Sequence, residues 1–197
     1  MSGGCHRAAT GNISIFAGGE REAFERVLPV LTTMGRRILH TGPIGSASIL
    51  KVITNYLCST HLAALAEAFI VAKKAGMDMN TTYEAIRISS GNSFVHETES
   101  QVILNGSRDI SFTMDLVVKD VGLFDKLANI HNVPVEISPL VLGIFKDGQD
   151  RFGPRELSPN IIKRLEEACD VQILGTGFPP EMIDDEPEEP GYEVKPR

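Results

Sequence analysis

The sequence predicts a mainly α-helical chain preceded by a short strand–helix–strand unit of the kind that builds parallel sheets. Three observations lead there. Residues 12–17 and 36–40 are β-rich and flank a stretch with helical spacing. From Ser46 to about Gln149 the apolar residues recur at helical intervals with little interruption. Glycine and proline fall at the points where these segments should start and stop.

The first strand is Asn-Ile-Ser-Ile-Phe-Ala, residues 12–17, closed by Gly18-Gly19. A helix over residues 20–34 follows, with Phe24, Val27, Leu28 and Leu31 on one face and Gly35 as its stop. Residues 36–40 give the second strand, closed by Gly42-Pro43. One strand–helix–strand unit is not a stable sheet by itself, so further structure is expected before Met1. The next helix, residues 48–75, has no Gly or Pro and ends at Gly76. It is apolar on most sides, which implies burial in a bundle or an oligomer. Asn80 can cap a second helix, and a third lies between Gly91 and Gly106. Residues 112–131 form a fourth. Ser138-Pro139 and Ser158-Pro159 each read as an N-cap and first helical residue, opening a fifth and a sixth. Domain bounds follow as 1–42, 43–150 and 151–197, the last an extra helix and an acidic arm.

Composition sets outer limits. Of 197 residues, 42% are hydrophobic and 23% charged, the profile of an ordinary globular protein. The formal charge is −7, and from Glu181 onward seven acidic residues stand against Lys195 and Arg197, so the body is close to neutral. No basic stripe offers a nucleic-acid footprint. Uninterrupted apolar runs fall short of a bilayer span and no signal-like stretch follows Met1, so no membrane partner and a cytoplasmic location are expected. Three cysteines without a Cys-x-x-Cys pair, and His40, His61, His96 and His131 without ligand spacing, point to neither a disulfide framework nor a metal site. The acidic end reads as a solvated tail. A sharper alternative is an arm laid on a partner subunit through Phe178, Met182 and Ile183.

Three constellations carry potential chemistry. Lys51 and Asn55 are four apart on one helix and share a face among Ile49, Leu50, Val52 and Ile53. Burial disfavours a charged amine, so such a lysine is suited to proton transfer, and Asn55 can hold a substrate oxygen. The plainer alternative is a lysine that snorkels from a buried helix. Ser2-Gly3-Gly4 can converge backbone N–H groups and a hydroxyl on an anion, or can be a flexible end. Lys119-Asp120 lies among Leu116, Val117, Val118, Val121 and Leu123, which leave little solvent side, yet a solvated charged face is the competing reading. No Gly-x-Gly-x-x-Gly follows a strand, so no dinucleotide fingerprint is present.

Taken together, these segments resemble the β-hydroxyacid dehydrogenases, the group that includes 3-hydroxyisobutyrate dehydrogenase and tartronate semialdehyde reductase. Ser2-Gly3-Gly4, Ala8 and Gly11 match the family's substrate motif, with Met1 in place of valine. Gly42-Pro43-Ile44-Gly45-Ser46 followed by Lys51 and Asn55 matches the catalytic motif, and Lys119-Asp120 preceded by Phe112 the later Lys-Asp motif. Ala47 stands where a second glycine is frequent, and Tyr56 where a second asparagine is.

The resemblance implies a helical, 6-phosphogluconate-dehydrogenase-like C-terminal domain behind the remnant of a Rossmann domain. It implies that Ser2, Gly3 and Gly4 hold a substrate carboxylate, that Lys51 is the general acid/base, and that Asn55 orients the reacting oxygen. Lys119 and Asp120 are expected at the cofactor, NAD or NADP. The expected partners are a small 3-hydroxy acid and a second copy or copies of the chain, as a homodimer or homotetramer through the helical domain. The expected activity is an NAD(P)-dependent 3-hydroxyacid dehydrogenase, represented by a fragment inactive alone. Two alternatives stand beside it: a non-catalytic helical dimerisation module, and an imine or semialdehyde reductase on the same scaffold.

Overall fold

The structure, a computed structural model, describes residues 1–196. The chain divides into two compact units, one of Met1–Thr54 with Ile183–Arg197, the other of Asn55–Met182. One helix, over residues 46–74, runs without a break through the division between residues 54 and 55, and the end of the chain belongs to the first unit.

In the first unit, helix α1 (Gly4–Ala9) precedes strand β1 (Ser14–Gly18), helix α2 (Arg21–Leu31) and strand β2 (Arg37–Gly42). The strands pair in parallel, from Ser14 opposite Arg37 to Ala17 opposite His40. Ile15, Ile38 and Phe24 form the core between sheet and helix, with Leu28 and Leu31 packed against it. This is the strand–helix–strand unit that the apolar spacing predicts. Helix α1 was not foreseen, because six residues are too few for periodicity to register.

The larger correction concerns the acidic end, which is not a solvated tail. Strand β3 (Tyr192–Val194) adds to β2 in parallel, with Ile38 opposite Glu193, and completes a sheet of order β1-β2-β3. Its carboxylates find fixed counter-charges: Glu186 lies 2.6 Å from Arg7 and 3.0 Å from Arg37, and Arg21 and Arg36 pair with Glu193 and Glu189. Arg36 also donates to the Pro190 carbonyl at 2.7 Å. Composition rules see only local charge, whereas these partners lie 149 to 179 residues away in sequence.

The second unit is helical. Helix α3 (Ser46–Lys74) starts in the first unit and continues into this one, followed by α4 (Met79–Arg87), α5 (Phe94–Asn105), α6 (Met114–Ile130) and α7 (Ile137–Phe152). A 3-10 turn, Ser158–Ile162, leads into α8 (Lys163–Cys169). Phe69, Ile103, Leu104, Met114, Phe145, Ile162 and Ile173 are fully buried at its centre. Several caps sit one or two residues from their expected places. Asp78, not Asn80, caps α4 by accepting from the Thr81 N–H at 2.8 Å. Helix α7 starts before Ser138, whose hydroxyl donates to Asp125 instead of capping.

Residues 170–182 are likewise docked on this unit. Gly175 N–H donates to the Leu104 carbonyl at 2.9 Å, Asn105 donates to the Phe178 carbonyl at 2.7 Å, and the Phe178 ring meets Tyr83 edge-on at 5.1 Å. Phe178 therefore docks on its own chain.

By length and composition α3 is apolar enough to cross a bilayer, a criterion that the core helix of a water-soluble enzyme also meets. The expectation drawn from short apolar runs understated this helix, because Lys51, His61 and Glu67 interrupt the run without lowering its mean hydropathy enough.

Candidate active site

Lys51 and Asn55 sit one turn apart on the unbroken α3, both half-buried. The Lys51 charge acts on the α-amino group of Met1: burial, and then the Lys51 ammonium, lower the affinity of that amine for its proton. Lys51 is therefore an electrostatic neighbour of the segment that begins Ser2-Gly3-Gly4.

That segment is ordered. Ser2 and Ser14 exchange both backbone hydrogen bonds at 2.9 Å, which pins Ser2 to the start of β1. The Ser2 N–H is thus committed to Ser14. The Ser2 hydroxyl and the amides of Gly3 and Gly4 remain as donors. Gly3 (φ 134°) and Gly4 (φ 83°) occupy positive-φ conformations that side chains resist, and a Cβ on Gly3 would lie 3.2 Å from Arg7 Cδ. Glycine at position 3 is required by the backbone itself.

In the helical unit, Asn55 Nδ2 donates to Asp120 Oδ2 at 2.5 Å. Asp120 is 8% exposed, and its Oδ1 is 3.0 Å from Lys119 Nζ. A carboxylate only accepts, so the Asn55 amide must present its nitrogen to Asp120. Its oxygen is then the acceptor that Asn55 offers a ligand hydroxyl. The Lys119 side chain is 58% exposed, the solvated alternative for this residue. The neighbouring apolar residues Val117 and Val121 face inward, and they leave the lysine on the solvent side of α6. The structure thus links Asn55, Asp120 and Lys119 in one chain of contacts, which spacing alone could not show for residues 65 positions apart.

Glu99 on α5 was missed by sequence reasoning. It is buried, one oxygen accepts from Cys58 Sγ at 3.6 Å, and burial pushes its carboxyl up to about 7. An acidic residue in a helix rich in Val95, Val102 and Ile103 was the available signal. His96, also buried, places Nε2 2.9 Å from the Tyr83 carbonyl, and burial lowers its proton affinity. An open groove of about 840 Å³ contains none of the motif residues, and its buried Arg108–Glu166 pair at 2.7 Å is self-neutralised.

Comparison with known proteins gives the chain's family. The profile of the NAD-binding region of NADP-dependent 3-hydroxyisobutyrate dehydrogenase matches residues 45–165, and that of the NAD-binding domain of 6-phosphogluconate dehydrogenase matches residues 1–42. The chain belongs to the β-hydroxyacid dehydrogenase family, whose cofactor is NAD or NADP.

It is 33% identical over 176 residues to 2-(hydroxymethyl)glutarate dehydrogenase of Eubacterium barkeri, covering 89% of this chain and 58% of that protein. It is 30% identical to L-threonate dehydrogenase of Escherichia coli K12, covering 83% of this chain and 54% of that one. The crystal structure of 3-hydroxyisobutyrate dehydrogenase from Salmonella typhimurium superposes with a TM-score of 0.74 at 29% identity, covering 83% of this chain and 57% of that one. The chain spans about half the length of the curated relatives it matches.

Proposed function

We propose that this chain supplies the proton-transfer and substrate-orienting groups of an NAD(P)-dependent dehydrogenase acting on a small, 3-hydroxyisobutyrate-like 3-hydroxy acid. The observation that carries the reading is the pair Lys51 and Asn55, one helical turn apart, with the Asn55 amide fixed by buried Asp120. Lys51 Nζ takes the proton from the substrate hydroxyl in the oxidative direction and returns it in the reductive one. Asn55 accepts from that hydroxyl through its amide oxygen, because its nitrogen is committed to Asp120. The Ser2 hydroxyl and the Gly3 and Gly4 amides hold the substrate carboxylate.

The residues present fit one end of the cofactor. Lys119 is an exposed ammonium anchored on a buried carboxylate, a suitable cationic contact, while no Gly-x-Gly-x-x-Gly occurs in the sequence to cradle a pyrophosphate. The bound cofactor supplies hydride transfer, and the protein supplies position and charge.

Copies of the chain pair through the helical unit in this reading, as a homodimer or homotetramer. Support comes from apolar side chains left in solvent: Leu57 and Val71 on α3, Leu123 and Ile130 on α6, Ile137 and Leu140 on α7. A cytoplasmic location belongs to the same reading.

The test is an assay with NAD and NADP on 3-hydroxyisobutyrate, 2-(hydroxymethyl)glutarate, L-threonate and L-serine. It should use the chain together with any in-frame sequence preceding Met1. Turnover of one of these acids that disappears with Lys51→Ala supports the reading. Turnover unaffected by that change overturns it.

A further inference from the structure

We infer that Cys58 is a site of reversible oxidation by hydroperoxides, with Glu99 as its proton relay. Cys58 lies half-buried on α3, and its thiol donates to Oε1 of Glu99 on the facing helix α5 at 3.6 Å. Glu99 is 8% exposed, and its second oxygen, Oε2, is buried without a donor. A carboxyl placed this way is costly to ionise unless it has something to do with its charge. Neither of the other two thiols is hydrogen-bonded to a carboxylate among the described residues: Cys5 is exposed, and Cys169 is half-buried like Cys58.

The dyad's chemistry follows from where one proton sits. An ordinary glutamate is a far weaker base than a thiolate, by roughly 4 pKa units. Burial raises the Glu99 carboxyl to about 7, which makes it a far better acceptor of the thiol proton than an ordinary glutamate. Transfer of the proton from Sγ to Glu99 moves the single negative charge across the pair but buries no new charge. The thiolate therefore forms with its proton held beside it on Glu99, in place to be given to the leaving oxygen.

The thiolate attacks one oxygen of a hydroperoxide. An S–O bond forms as the O–O bond breaks, sulfur is oxidised to the sulfenic level, and the peroxide is reduced. The proton parked on Glu99 goes to the leaving alkoxide or hydroxide, which departs as alcohol or water. The sum is thiol plus hydroperoxide giving sulfenic acid plus alcohol or water. A thiol reductant reverses it. Cys58 is three residues beyond Asn55 on the same helix, so the modification places a polar oxygen one turn from the Asn55–Asp120 contact.

The experiment treats the reduced, intact chain at pH 7 with substoichiometric hydrogen peroxide and a sulfenic-acid trap of the dimedone class. Labelling of each cysteine is then timed by peptide mass spectrometry. Cys58 should label about tenfold faster than Cys169, which has the same exposure class and serves as the internal control. Glu99→Gln, checked for native helicity, should bring Cys58 down to the Cys169 rate. Equal rates for Cys58 and Cys169 in the unmodified protein overturn the inference without recourse to any variant. So does a Glu99→Gln protein whose Cys58 still labels at the unmodified rate. Neither outcome touches the dehydrogenase reading, because the labelling needs no hydroxy acid and no nicotinamide cofactor.

Discussion

Asp120 accepts from two sides, from the Asn55 amide at 2.5 Å and the Lys119 ammonium at 3.0 Å. Because the carboxylate is buried, it orients Asn55 more firmly than a solvated acid could. Asp120→Ala should therefore lower kcat/KM by about 100-fold through misplacement of Asn55. Lys51→Ala should lower kcat by about 10² to 10⁴ and leave the circular dichroism spectrum unchanged. Steady-state kinetics on both variants check these outcomes.

Glu99 makes a separate prediction. Its folded pKa is raised by burial from 4.5 to about 7, so between those values the native state holds a proton that the unfolded state has lost. Stability should then decline as pH rises through this window, by on the order of 3 kcal/mol in total. Glu99→Gln should flatten the slope, as read from urea midpoints at pH 5 and pH 8. At this scale Lys51, Asn55 and the Lys119-Asp120 pair were legible from spacing and motif. The Asn55–Asp120 contact and the Glu99–Cys58 contact were not, because each joins two helices whose packing no local pattern encodes.

The helices follow from their own residues: apolar stripes set their faces and glycines such as Gly76 and Gly106 end them. What periodicity does not disclose is how closely the elements approach. Gly148 on α7 is an example, since a Cβ there would lie 2.5 Å from Ile161 Cδ1 and 3.0 Å from Met114 Sδ. Gly148→Ala should cost about 1–3 kcal/mol by overpacking the junction of α6, α7 and the 3-10 turn, despite alanine's better helix propensity. Thermal unfolding of the variant measures it.

Strand β3 escaped a reading by period for a related reason. Three residues in a proline-rich acidic segment carry almost no alternation, and the strand exists because β2 offers an unpaired edge and Arg7, Arg36 and Arg37 offer charge. Gly191 shows how tight this docking is: a Cβ there would come 2.0 Å from the Gly35 carbonyl oxygen. Gly191→Ala should detach β3, and cleavage by a glutamate-specific protease within residues 183–191 should accelerate while the helical unit stays resistant.

At the scale of the whole chain, the uneven charge distribution is resolved by folding. The acidic end carries most of the −7, and it lies against the arginines of the first unit. Burial opposes ionisation of Asp184, but hydrogen bonds from Thr10 and Asn12 hold its carboxyl below the ordinary range. The hydrogen bond from Arg37 does the same for Glu186. Both carboxyls have depressed folded pKa values, so their contribution is complete at neutral pH and is lost as pH falls through the acid range. Acid should therefore loosen the arm, and high salt should weaken its exposed pairs. Limited proteolysis at pH 4 and pH 7 follows this release directly.

The covered flank of β2 has a geometric consequence. With β3 seated there, β2 becomes the central strand, paired along both flanks, and among the described strands β1 and β3 present the two edges. Neither flank of β2 is open to another chain. A further strand would have to pair with β1 or with β3, and at β1 the place opposite Ser14 is already held by Ser2.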